Sequence, residues 1–193
     1  MRRYGFLSGL IIVSLILALA VAGPAAGSRE LINVTLLQTL GVDGAGPVAL
    51  TAVAPSDEKD TPQRYRTQAD TLANAREELR ELGKTRLEVT HVAQLVLGPD
   101  VPVEETLWAE LNDRASGCDA RVWLSQEPAG ELLAGIYEPC LRLEAMEANG
   151  STKAPTLLEA LSTLTREGQV TLPVLELKGE DLVVAGTRTI KEG

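Results

Sequence analysis

The chain has 193 residues and a formal net charge of −9, with a single histidine, two cysteines and only 3% aromatic residues. No cluster of Lys and Arg is present to neutralise phosphates, and the four aromatics beyond the leader (Tyr65, Trp108, Trp123, Tyr137) offer no stacking platform, so a nucleic-acid partner is excluded. With His91 as its one histidine, the chain cannot build a multi-histidine metal centre.

Arg2 and Arg3 precede an apolar run from Phe6 to Ala22, and the small residues Ala20-Val21-Ala22-Gly23-Pro24 follow it. That order is a charged, apolar and cleavable sequence of the secretory type, with the cut before Gly23. The run is long for such a leader and sits at the short limit of a spanning helix, so an uncleaved anchor fits equally well. Either way the two arginines stay on the cytoplasmic side. The expectation is a leader or membrane anchor over 1–27 and an extracytoplasmic domain over 28–193, at the outer face of a membrane. A span of that length makes one domain with a substantial core.

In chain order, Glu30 to Leu40 and Val48 to Ala54 are rich in β-branched and aliphatic residues. They flank Gly41-Val-Asp-Gly-Ala-Gly-Pro47, which reads as a hairpin. Pro55 to Arg66 is polar with two prolines and reads as a loop. Thr67-Gln-Ala-Asp70 opens a helix that runs to Leu82, with Gly83 just past its end. Arg86 to Leu97 reads as one strand, with Leu87, Val89, His91, Ala93, Leu95 and Leu97 on a single face. His91 is therefore expected to be buried and hydrogen-bonded in the core. Helices follow at Val103 to Ala115, Pro128 to Tyr137 and Pro139 to Ala148, with a strand at Asp119 to Ser125 between the first two. Thr156-Leu-Leu-Glu159 is a capping box opening a helix that ends near Gly168. Strands at Val170 to Lys178 and Leu182 to Ile190 close the chain around Gly179-Glu-Asp181. The order ββ-α-β-α-β-α(α)-α-ββ implies an α/β, or mixed α+β, fold with a mixed sheet flanked by helices.

No nucleotide, serine-hydrolase or zinc-protease motif occurs, so no cofactor is implied. Gly41-x-x-Gly44-x-Gly46 follows a strand but opens no helix, which argues against a phosphate cradle. Glu77/Glu78 and Glu104/Glu105 are adjacent on helices, point in different directions and read as solvated faces. Cys118 and Cys140 are an even pair in an exported domain and suggest one disulfide, the alternative being two free thiols. Their spacing suits neither zinc nor a redox CxxC.

Several segments together resemble one family. Ser28-Arg-Glu-Leu-Ile and Thr39-Leu-Gly-Val-Asp43 look like the REI…GIGID start of the Ger(x)C family of spore germination proteins. Arg86-Leu-Glu-Val-Thr-His91 to Gly98, Leu107 to Arg114, Ala129-Gly-Glu-Leu-Leu133, Thr156 to Leu161, Thr171 to Glu176 and Leu182 to Gly186 resemble further family elements in the same order. The resemblance implies a mixed sheet flanked by helices, no enzymatic activity, and a place beside polytopic membrane subunits in a germinant receptor. Two departures stand out. The family's lipid-bearing cysteine is missing from Gly23-Pro-Ala-Ala-Gly-Ser28, and the chain matches only the family's N-terminal domain. The rival expectation is an exported enzyme or solute-binding protein with a site built from loops.

Overall fold

The alternation of apolar residues resolves into a seven-stranded mixed sheet with helices on both faces. The computed structural model describes residues 34–56, 62–82, 86–112, 116–150 and 152–193. Residues from Thr35 onward form one compact unit. The expected leader over 1–27 lies outside the described residues.

The strands are β1 (Val34–Leu36), β2 (Thr39–Asp43), β3 (Val48–Ser56), β4 (Pro62–Ala69), β5 (Arg86–Glu88), β6 (Gln94–Leu97), β7 (Arg121–Ser125), β8 (Gln169–Lys178) and β9 (Asp181–Lys191). The helices are α1 (Leu72–Glu81), α2 (Val103–Asn112), α3 (Ala129–Ala134), α4 (Pro139–Ala148) and α5 (Leu157–Glu167). Strands β2, β6, β7 and β8 run parallel, with antiparallel β3 and β4 on one side and β9 on the other. The expected α/β class is therefore the observed one.

Residue alternation separates two cores, because successive side chains of a strand point to opposite faces. Leu40 and Val42, Leu95 and Leu97, and Val122 and Leu124 face α1, α2 and α5. Val53, Val96 and Trp123 face α3 and α4. Trp123 is wholly buried, and its Nε1–H donates to Gln94 Oε1 at 2.8 Å, which satisfies the one polar atom of the ring. The capping box of α5 forms as its sequence dictates. Thr156 Oγ1 accepts from Glu159 N, the Glu159 carboxylate accepts from Thr156 N, and Gly168 closes the helix at φ 68°.

Three local expectations are corrected. Residues 62–66, expected in a loop, begin β4, whose pairing with β3 outweighs their polar composition. Helix α1 starts later than Thr67, because Thr71 is the residue whose hydroxyl accepts from Asn74 N. The single strand expected from Arg86 to Leu97 is broken. β5 pairs with β1 in a separate two-stranded sheet, Thr90 and His91 turn outward, and β6 joins the main sheet. Gln38 O accepts from both Ala93 N and Gln94 N, which fixes the restart. The turn advances the alternation by one residue, so Val89 and Val92 are both buried while His91 is exposed. His91 is thus not the core histidine expected of it.

Candidate functional site

Ligands of parallel sheets usually sit beyond the carboxyl ends of the strands, and here Asp43 occupies that position at the end of β2. Its Oδ1 accepts from Ala129 N at 2.6 Å and its Oδ2 from Gly130 N at 2.8 Å, so the carboxylate caps the first turn of α3. Glycines make room for this seat. A Cβ at Gly98 would lie 2.1 Å from Asp43 Oδ1, and one at Gly130 would lie 2.7 Å from Thr51 Oγ1. The anion-binding end of α3 is therefore filled by the protein's own side chain. On the first face, a hollow of about 260 Å³ opens between the starts of α1 and α2, with Asp70, Glu105 and Thr106 in its wall.

A charged cluster lies between α1 and α2. Arg76 pairs with Glu110 through its guanidinium, and Ser116 Oγ donates to the other Glu110 oxygen at 2.7 Å. The side chains of Arg76 and Glu110 are 3% and 0% exposed. The carboxylate, one guanidinium nitrogen and the hydroxyl engage one another out of water, so the cluster is an internal tie between helices. Arg121 serves as a second tie. Its Nη1 donates to Ala154 O at 3.0 Å, and its guanidinium lies within 3.6 Å of both Glu147 and Glu159, joining α4, the 152–155 segment and α5.

At the amino edge of the sheet lies a partly open hollow of about 130 Å³. Its walls are Thr39 from β2, Val53 and Ala54 from β3, Pro62 from β4, and Pro139, Cys140 and Leu141 from the first turn of α4. Arg64 holds α3 against this edge by donating to Leu133 O and Ile136 O, at 3.4 and 2.6 Å, and so sets where α4 begins. Burial, with Glu144 beside it, pushes the Cys140 thiol up to about 12, and the thiol donates to Glu144 Oε1 at 3.6 Å. It is a protonated wall atom rather than a nucleophile.

The expected Cys118–Cys140 disulfide is not formed; both are free thiols, Cys118 exposed and Cys140 buried. Cys118 lies in the turn entering β7, where its carbonyl accepts from Leu158 N of α5, whereas Cys140 belongs to α4 on the other face. The sheet stands between them. His91 sits exposed in the turn between β5 and β6. Glu77, Glu78 and Glu105 are exposed, as solvated faces should be, and Glu104 accepts from Gly193 N at 3.0 Å. Among the described residues no group of three His, Cys, Asp or Glu side chains could hold a metal ion, and no helix is long and apolar enough to cross a membrane.

Fold and site together define a three-layer α/β domain whose polar clusters are internal ties and whose partly open edge hollow is mainly apolar. No family model, curated protein or solved structure matches the chain.

Proposed function

We propose that this protein is a non-catalytic, membrane-associated component of a spore germinant receptor, acting outside the cytoplasm through contacts with other receptor subunits. The observation that carries the reading is the order of the family-like segments along one fold. Ala129 to Leu133 falls on α3, Thr156 to Leu161 on the start of α5, Thr171 to Glu176 on β8, and Leu182 to Gly186 on β9. A mixed sheet flanked by helices is also what the resemblance implies.

The surface supports a role in protein contacts. β9 is an edge strand with Ala185 to Thr189 exposed, and an edge offers unpaired backbone groups for strand addition. Arg188 and Lys191 on the strand discourage pairing of two copies of this edge by like charge. The test is deletion of the gene in its sporulating host, with germinant-triggered loss of spore refractility as the readout and co-purification of a polytopic membrane subunit alongside. A slowed response and a captured subunit are expected. Unchanged germination with every germinant, together with no such subunit, refutes the proposal.

A further inference from the structure

We propose that the cavity at the amino edge of the sheet is a binding site for a small neutral apolar molecule, no larger than a single aromatic ring. Size sets the upper limit. The cavity measures about 130 Å³, and an apolar protein cavity of about 150 Å³ takes up benzene. Its walls set the chemistry: Val53, Ala54, Pro62, Pro139 and Cys140 supply carbon and a protonated thiol, and no Lys or Arg lines it to hold a carboxylate or phosphate. Glu138 in the wall and Glu144 beside the thiol repel anions further. Thr39 is 1% exposed and meets the Cys140 thiol, so its hydroxyl is already engaged, and the half-buried Gln38 supplies the neutral polar part of the wall.

A guest that fits a hollow of this lining gains dispersion contacts with its apolar walls. Access is open at one side, where Leu141 is 55% exposed and Pro55 stands at the surface. A hollow of about 130 Å³ holds no more than one small ring, which suits a free molecule.

The two cysteines provide the assay, with Cys118 as an exposed internal control. The purified full chain, kept in solution by an amphipathic polymer, is equilibrated with toluene through the vapour phase. Iodoacetamide alkylation of each cysteine at alkaline pH, where a small fraction of the Cys140 thiol is ionised, is then followed by peptide mass spectrometry. Toluene is expected to slow alkylation of Cys140 saturably, about tenfold at ten times its half-saturating activity, and to leave Cys118 unchanged. Filling the cavity through Ala54→Leu, or closing its mouth through the exposed Leu141→Trp, should slow Cys140 without toluene and abolish the further effect of toluene. The inference is overturned by a Cys140 rate that ignores toluene up to its saturated vapour. It is equally overturned by protection that survives in both variants, or by equal protection of Cys118. The assay contains no spores and no other subunit, so its failure leaves the germination reading standing, and the reverse also holds.

Discussion

Neutralising Glu110 should be among the most damaging single changes in this protein. Its carboxylate is fully buried, takes the Arg76 guanidinium on one oxygen and the Ser116 hydroxyl on the other, and ties α1 to α2 and to the approach to β7. Glu110→Gln keeps the shape and removes the charge, leaving a buried guanidinium without this carboxylate. Breaking one side of a buried pair costs about 3–5 kcal/mol. For a domain of this size that lowers the melting temperature by about 6–20 °C. Ser116→Ala removes one hydrogen bond and should cost only about 1–3 kcal/mol. Replacing both ions, as in Arg76→Met with Glu110→Leu, should cost far less than the two single changes together, because no buried charge is left. Urea unfolding of the four proteins in that cycle gives the coupling directly. A loss below about 1 kcal/mol in Glu110→Gln, or simple additivity in the cycle, refutes the account of the pair as a desolvated, mutually dependent unit.

Asp43→Ala removes the carboxylate that takes two backbone N–H groups of α3 and should cost about 2 kcal/mol in urea unfolding. Gly130→Ala pushes a methyl into Thr51 Oγ1 and should cost about 1–3 kcal/mol by the same measurement. The hydrogen bonds from Thr156 hold the Glu159 carboxyl below its usual range, so the folded state binds that proton more weakly than the unfolded chain does. Its contribution is present above the ordinary glutamate range near pH ~4.3 and is lost as pH falls through the folded value. The deficit of Glu159→Gln in thermal melts should accordingly shrink on acidification. Burial raises the Cys140 thiol to about 12, so stability should fall as pH rises from the ordinary thiol value of ~8.5 towards the folded one. Cys140→Ala should lack that alkaline slope, and a slope that survives the substitution refutes the assignment.

The fold was legible where local chemistry and tertiary packing agree. Thr156, Glu159 and Gly168 specify both ends of α5 within a few residues of chain, and the structure obeys them. The β8–β9 hairpin likewise follows from two apolar runs around Gly179. Legibility failed where long-range pairing decides. Nothing within Pro62 to Arg66 reads as a strand, yet Thr51, Ala52 and Val53 of β3 supply the partners that make it one. The alternation from Leu87 to Leu97 looked continuous, and its interruption at Thr90 and His91 depends on Gln38, some fifty residues earlier, accepting the amides that restart β6.

The site was harder to read for a related reason: sequence spacing does not say which face of a sheet a residue will occupy. Cys118 and Cys140 are near neighbours in the chain, and an even pair invites a bridge. Between them the chain passes through β7 and α3, which carries Cys140 to the opposite face from the α5 helix that Cys118 meets. Arg76 and Glu110 are the converse case. They lie 34 residues apart on separate helices, and only the packing of α1 and α2 over one core brings them together out of water. The cavity beside Cys140 depends on both effects. β2, β3 and β4 must pair to bring Thr39, Val53 and Pro62 to one edge, and Arg64 must hold the last turn of α3 so that Pro139 starts α4 over them. A substitution that releases that hold, such as Arg64→Ala, should therefore alter the alkylation rate of Cys140 and leave that of Cys118 as it was. Equal change at both cysteines would mean that Arg64 supports the whole domain rather than this edge.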